Sequence, residues 1–166
     1  MTMTIGEYNT KRELQIANER AAFLRSKGSV PNVAGSMTLP TDNRVGRNCG
    51  VTAVAVMAGV SFTEAWNELK AIRSAGSRWT GATSHADRQK ALTGFGVSLS
   101  NITVPRTTLS TFIKKHAKAG VRYMVRTTGH VQIVLDGMVL DQLGNKPVAK
   151  YWGSKKMVSI VSIIAT

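Results

Sequence analysis

A run of small apolar residues from Gly50 to Ala58 constrains the fold of this chain more than any other stretch. The run is apolar on every side, which is typical of a helix that is buried all round. Gly59 follows it and offers the left-handed residue on which helices commonly end. Cys49, the only cysteine of the chain, directly precedes the run. The pattern therefore predicts a central buried helix with a thiol in its first turn.

Cys49 has two interpretations at this position. The first turn of a helix carries N–H groups without partners and a partial positive charge, which favour the thiolate over the thiol. The site is thus suited to a nucleophile. Free cysteine is also often a small buried core residue. The helix start alone slightly favours this second interpretation, so the choice depends on the rest of the chain.

Length and composition narrow the class of protein. A chain of 166 residues with a hydrophobic fraction of 43% predicts one globular domain, spanning residues 1–166. No apolar run is long enough for a membrane span, and the N-terminus lacks the features of a signal peptide, so we expect a cytoplasmic protein. A single cysteine excludes an internal disulfide, and the three histidines show no metal-ligand spacing. We therefore expect neither a metal nor another cofactor.

The charge of the chain is strongly positive. It has 22 Lys and Arg residues against 9 Asp and Glu residues, a net charge of +13. Such a field attracts polyanions, so nucleic acid or an acidic protein is a candidate partner. The basic residues are spread along the chain, however, and few aromatic residues are available for base stacking. These features favour a generally basic surface over a dedicated nucleic-acid site.

The hydrophobic periodicity predicts an α+β fold. An amphipathic helix is expected within residues 1–28, a helical half over residues 29–96 and a mainly β half over residues 97–166. Helices are expected near residues 64–73, 84–92 and 109–118, and extended segments at residues 97–104, 121–126, 129–135, 138–142 and 157–165. Helices followed by antiparallel-looking strands are typical of this class. The loop over residues 29–48 is long for a compact domain, as functional loops often are, and it leads into Cys49.

One hairpin brings a histidine and an aspartate together. Asp136-Gly137 between two apolar runs predicts a two-residue type I′ turn, which fixes the strand register. In that register Gln132 lies opposite Asp141, and His130 shares their face of the sheet. His130 and Asp141 are then diagonal neighbours, about 7–8 Å apart at the backbone. The hairpin alone is equally consistent with a merely polar sheet face.

Cys49 and this hairpin together favour a catalytic triad. A carboxylate bonded to one nitrogen of a histidine ring orients the ring and supports its protonated form. The other nitrogen is then free to take a proton from a thiol. We therefore predict that Asp141 orients His130 and that His130 activates Cys49.

Three segments resemble the papain-like cysteine peptidase superfamily, with most similarity to C39-peptidase-like bacterial and phage proteins. They are Asn48-Cys49-Gly50-Val51-Thr52, Gly129-His130-Val131-Gln132 and Val139-Leu140-Asp141. The resemblance implies a papain-like fold, with the cysteine on the central helix and the histidine and acid on an antiparallel sheet. It also implies an oxyanion-hole amide six residues before the cysteine, where this chain has Asn43 instead of the common Gln. Gln142 stands where C39 peptidases often have Pro, so their substrate class is not carried over.

The expected function is therefore that of a cysteine hydrolase acting on an amide bond of a peptide or protein, with acyl transfer left open. The alternative is an inactive papain-like scaffold that binds nucleic acid or an acidic host protein, and a small basic chain of this kind would suit a phage or mobile-element effector. Trp79 and Gln132 are candidate walls of the cleft. Trp79 lies in a glycine-bracketed turn, where it is alternatively a loop anchor.

Overall fold

The computed structural model describes residues 37–73, 78–104 and 106–148, together with the backbone of a strand at residues 157–163. The amphipathic helix predicted within residues 1–28 lies outside these ranges, as does the first part of the loop predicted over residues 29–48. The described residues contain four helices and six strands, which confirms the α+β class.

Helix α1, Cys49–Ala58, is the central helix. Every residue from Gly50 to Ala58 is buried, as the unbroken apolar run predicted. Gly59 ends the helix in the left-handed conformation with φ 68°, and its N–H donates to the carbonyl of Ala55. The helix therefore lies inside the molecule, and only its first residue is partly accessible.

Three further helices surround the core: α2, Phe62–Ile72; α3, His85–Gly94; and α4, Leu109–Lys115. Ser61 begins α2 and Ser84 begins α3, each with a reciprocal capping box. The Asp42 carboxylate also accepts hydrogen bonds from the N–H groups of Phe62 and Thr63. That contact ties the loop before Cys49 to the start of α2.

Six antiparallel strands form one sheet: β1, Leu99–Ile102; β2, Tyr123–Thr127; β3, His130–Leu135; β4, Met138–Asp141; β5, Gly144–Pro147; and β6, Met157–Ile163. Their order across the sheet is β1-β6-β2-β3-β4-β5. The sequence analysis did not predict β5, because its Gly-Asn-Lys-Pro sequence shows no apolar alternation. It extends the sheet by pairing with β4.

The hairpin of β3 and β4 has the predicted register. Leu135 pairs with Met138, Val134 with Val139, and Ile133 with Leu140. Asp136 and Gly137 form the turn with φ of 48° and 79°, the two positive values that a type I′ turn requires. His130 begins β3 and Asp141 ends β4, so both lie at the open end of this hairpin.

The two faces of the sheet pack against different helices. One face contributes Met124, Val131, Ile133 and Leu140 to the core around α1, α2 and α3. The other contributes Tyr123, Val125, Val134 and Val139 to a smaller cluster with Leu109 and Phe112 of α4. No single helix in the described ranges is long and apolar enough to cross a membrane; α1 and α2 would meet that test only as a pair bent by 113°.

Candidate active site

Cys49 lies at the point where α1 meets the end of β3. The carbonyl of Asn48 accepts the N–H groups of Val51 and Thr52, but the Asn48 side chain does not cap the helix. The backbone N–H groups of Val131 and Gly50 favour the thiolate form of Cys49 and help to lower its pKa. The thiol is thus held between the first turn of a helix and the start of a strand.

His130 and Asp141 form the contact that the hairpin register predicted. Nε2 of His130 lies 3.0 Å from Oδ2 of Asp141. The carboxylate is 5% exposed, and its second oxygen accepts the N–H of Leu143 at 2.8 Å. Because Nε2 faces the aspartate, Nδ1 is the ring nitrogen left for the hydrogen bond that His130 makes with Cys49. One imidazole therefore bridges the acid and the thiol.

The ionisation of the pair is shifted towards thiolate and imidazolium. Burial of the Cys49 thiol raises its pKa, but the hydrogen bonds from His130 and Val131 and the charge of His130 outweigh burial and bring it below its usual value. The hydrogen bond to Asp141, followed by that to Cys49, raises the pKa of His130 to about 9 against the effect of its burial. Both shifts favour a thiolate beside a protonated histidine over the neutral pair.

A cleft of about 550 Å³ opens over Cys49 and His130. One wall is the loop Gly81–Thr83, and another is the end of the sheet around Thr127 and Gly129. Three arginines also line the cleft, namely Arg47, Arg88 and Arg126, and so does Gln142. The cleft therefore contains the proposed nucleophile and base in a basic environment.

Two glycines allow the close packing beside the thiol. A Cβ on Gly50 would collide with the side-chain hydroxyl of Thr83 and would lie 3.4 Å from Cδ of Arg88. A Cβ on Gly81 would collide with the side-chain oxygen of Asn48, and Gly81 also has φ +94°. The residue after the cysteine must therefore be small, because the loop at Thr83 and α3 both press against the start of α1.

Trp79 packs against the loop that forms one wall of the cleft. Its Nε1 donates to the carbonyl of Ala82 at 2.7 Å, and its ring lies 4.4 Å from that of Trp66 between centroids. Trp79 is not among the residues that line the cleft, and neither is Gln132. Gln132 is fully buried, and its Nε2 lies 3.5 Å from Oγ1 of Thr127. Trp79 thus anchors the loop that forms the wall.

Asn43, the residue predicted for the oxyanion hole, makes two hydrogen bonds near the site. Its Nδ2 donates to the carbonyl of Gln142 at 3.0 Å, and its Oδ1 accepts the Thr52 hydroxyl at 2.8 Å. It is not among the cleft-lining residues, whereas the Gln142 side chain is. Asn43 therefore connects the loop before Cys49 to the segment after Asp141, and its role as an oxyanion donor stays a prediction.

The sequence analysis did not identify Arg88, Arg126 or Gln142 as site residues. Arg88 lies on α3 and Arg126 on β2, in segments where a basic residue is usually solvated and gives no local signal. For Gln142 a signal existed, since it directly follows the predicted acid. The structure brings these three side chains to the cleft from separate parts of the fold.

No protein-family model, curated protein or solved structure compared with this chain gave a match. The papain-like resemblance therefore remains an interpretation of the three sequence segments, and the functional argument depends on the geometry of the site.

Proposed function

We propose that this protein is a papain-like cysteine hydrolase that cleaves an amide bond of a peptide or protein with Cys49, His130 and Asp141. The observation that carries the proposal is the position of one imidazole. Asp141 Oδ2 lies 3.0 Å from its Nε2, and Cys49 is hydrogen-bonded to the ring as well. A histidine between an acid and a thiol is what nucleophilic cysteine catalysis requires.

The proposed reaction has two halves. The Cys49 thiolate attacks the carbonyl carbon of the substrate, and the C–N bond breaks as His130 gives its proton to the leaving amine. This leaves a thioester on the sulfur and a neutral imidazole. His130 then takes a proton from water, whose oxygen attacks the thioester and restores the thiolate as the acid leaves. If an amine replaces water, the same steps transfer the acyl group.

The tetrahedral intermediate carries a negative oxygen that needs hydrogen-bond donors. The backbone N–H of Cys49, at the start of α1, is one proposed donor. The second is a side-chain amide, for which the chain offers Asn43, by resemblance, and Gln142, by its place in the cleft. Removing such a donor costs about a hundredfold in rate or more.

Alkylation of Cys49 by iodoacetamide tests the thiolate. Between pH 8 and pH 6 the wild type should lose less of its alkylation rate than an ordinary thiol does, because the pKa of Cys49 is lowered. Above about pH 9 His130 loses its proton, so Cys49 no longer has a positive charge beside it. An ordinary thiol, with a pKa of about 8.5, would lose roughly a hundredfold in rate between pH 8 and pH 6.

His130→Ala is the control for this measurement. It should restore the profile of an ordinary thiol. An unperturbed profile in the wild type, or a profile that His130→Ala leaves unchanged, would refute the proposed activation.

Acylation tests the hydrolase directly. An activated ester such as p-nitrophenyl acetate should give a burst of nitrophenol and a mass increase of one acetyl group on Cys49, both absent in Cys49→Ala. Added amine should divert the acetyl group if the thioester can serve acyl transfer. Absence of the burst with folded protein would contradict the proposal.

The alternative function is a catalytically inactive papain-like scaffold that binds a polyanion or an acidic protein. The net charge of +13 favours it. Under this alternative Cys49 would titrate as an ordinary thiol, and binding would persist in Cys49→Ala.

A further inference from the structure

Arg88 is a buried arginine without an acidic partner in the described part of the chain. It lies on α3, is 2% exposed and lines the cleft. Its Nη1 donates to the carbonyl and hydroxyl oxygens of Thr83, both at 2.9 Å. Nε is buried without a hydrogen bond to any described residue, and Nη2 likewise has none. A buried charge in this state is costly unless a partner is supplied.

The free atoms of Arg88 form one edge of its guanidinium group. Nε–H and Nη2–H point in the same direction and together match the two oxygens of a carboxylate. The bonds from Nη1 to Thr83 hold the group by its other end, so the free edge is fixed in orientation. Arg88 also packs beside the first turn of α1, next to Cys49. This edge therefore presents two oriented hydrogen-bond donors that can bind an anion close to Cys49.

Arg126 adds a second unpaired guanidinium. It lies on β2 opposite Val131, whose N–H contacts the Cys49 sulfur. Its Nε is buried and has no hydrogen bond to a described residue, and the side chain lines the cleft. Burial, followed by the charge of Arg126, lowers the pKa of Arg88 to about 10 against the opposing charges of Cys49 and Asp87, so Arg88 keeps its charge at neutral pH. Two arginine side chains thus line the same cleft without an ion pair to a described carboxylate.

The carboxylates in the described ranges are engaged elsewhere. Asp42 and Glu64 bind the start of α2, Asp87 binds Ser84 and Arg73, Asp136 accepts from Gly120, and Asp141 binds His130. Glu68 has an interaction of its own. None of these six groups forms an ion pair with Arg88 or Arg126. A bound anion would supply the hydrogen-bond acceptors that the buried Nε atoms of both arginines lack.

We propose that Arg88 and Arg126 bind a carboxylate of the substrate next to the bond that Cys49 attacks, so that the substrate is an acidic peptide or amide. The inference rests on the proposed function, because it describes the substrate of the same thiol. The side-on edge of Arg88 favours a planar carboxylate, since its two N–H groups are parallel. The carboxylate belongs to an acidic side chain or to a chain terminus.

Iodoacetate and iodoacetamide form a matched pair of probes. The thiolate displaces iodide from either reagent to form a thioether, and the reagents differ only in a carboxylate against a neutral amide. The ratio of the two alkylation rates therefore reports recognition of the carboxylate and cancels changes in thiolate reactivity. We expect this ratio to fall about tenfold in Arg126→Gln, the loss of a charge-assisted hydrogen bond.

Arg88→Lys is the second variant. It keeps the positive charge and removes the parallel donors, so a similar fall in the ratio is expected. The control is Lys90→Gln, which removes one positive charge from an exposed position on the same helix, outside the cleft lining. Its ratio should match that of the wild type. Thermal unfolding of each variant checks that the fold is kept.

Competition in the wild type completes the test and needs no variant. Acetate should slow the reaction with iodoacetate more than inorganic phosphate does at equal ionic strength. An unchanged ratio in both arginine variants, or an equal fall in Lys90→Gln, would overturn the subsite. Stronger protection by phosphate would overturn the carboxylate in favour of a phosphate-bearing ligand. Failure of the proposed function is distinct, since it would appear as slow iodoacetamide alkylation at pH 6 whatever the ratio.

Discussion

Cys49 and His130 shift each other's ionisation in opposite directions, and Asp141 decides the balance. The hydrogen bond that His130 donates to Asp141 is the largest cause of the raised pKa of His130, and the protonated ring in turn helps to lower the pKa of Cys49. The carboxylate itself is held by the N–H of Leu143. The reactivity of the Cys49 sulfur therefore depends on Asp141, which acts on it through the His130 ring.

Replacing Asp141 by Asn should lower the pKa of His130 and move the alkylation profile of Cys49 towards higher pH. The amide supplies no charge and allows the wrong ring tautomer, so we expect acylation at pH 7 to fall by about a hundredfold or more. Nitrogen chemical shifts of the His130 ring report its pKa, and the ester burst reports acylation. An unshifted pKa would contradict the role of Asp141.

Single substitutions of Gln142 and Asn43 distinguish the two candidate side-chain donors to the oxyanion. If Gln142 supplies it, Gln142→Ala should slow acylation about a hundredfold and leave alkylation by iodoacetamide much less affected, since alkylation forms no oxyanion. Asn43→Ala is the matched variant, because the Asn43 side chain binds the Gln142 carbonyl and the Thr52 hydroxyl and is not among the residues that line the cleft. A larger loss of acylation in Asn43→Ala than in Gln142→Ala would instead support the donor implied by the resemblance.

At the scale of elements, the site is held by two tight contacts. The start of α1 packs against the Gly81–Thr83 loop, and the β3–β4 hairpin aligns His130 with Asp141. Both contacts depend on backbone that only certain residues allow. The proposed catalytic side chains are thus positioned by turns and close approaches of the backbone.

Gly50→Ala should lower the free energy of unfolding by about 1–3 kcal/mol, the usual cost of overpacking a core. The added Cβ meets the Thr83 side chain, so Thr83→Ala should recover part of the loss in the double variant. Gly94→Ala is the control, because its Cβ would meet only the flexible end of Glu68. Urea unfolding of the four variants measures the coupling, and additive losses would exclude the contact.

Gly137→Ala tests the hairpin turn. Gly137 has φ 79°, so a side chain there should cost about 1–2 kcal/mol and weaken the register that joins His130 to Asp141. Asp136→Asn is the matched control, because Asn tolerates this turn and still offers an oxygen to the N–H of Gly120. Urea unfolding and the alkylation profile are the measurements. Equal stability of both variants would be inconsistent with the turn.

At the scale of the whole molecule, the charge of +13 sets how the protein meets polyanions. A field spread over many basic residues gives attraction without sequence information. This property is compatible with a hydrolase and by itself identifies no binding site. The positive field also attracts acidic substrates towards the molecule and so raises their rate of encounter with the cleft, where Arg88 and Arg126 lie.

We expect binding to duplex DNA to be weak and independent of sequence, and to fall at least tenfold between about 50 and 200 mM salt. Fluorescence anisotropy with two unrelated duplexes would measure it. Cys49→Ala should show the same affinity as the wild type, because the thiol contributes nothing to the field. Tight, sequence-specific binding that survives high salt would favour the scaffold alternative.

The sequence by itself determined the parts of this protein that follow from local physics. The all-apolar run determined a buried helix, Gly59 its end, and Asp136-Gly137 the turn and hence the register that joins His130 to Asp141. Strand β5 escaped prediction because its pairing with β4, and not its own composition, makes it a strand.

Only the tertiary structure decided what surrounds the thiol. Arg88 and Arg126 come from a helix and a strand that are far apart in sequence, and nothing near either residue marks it as part of a cleft. Trp79 and Gln132 were candidate cleft walls, and Asn43 was implied by the resemblance, yet none of the three is among the residues that line the cleft. Periodicity and turn chemistry act over a few residues, whereas the walls of a cleft depend on how whole elements pack.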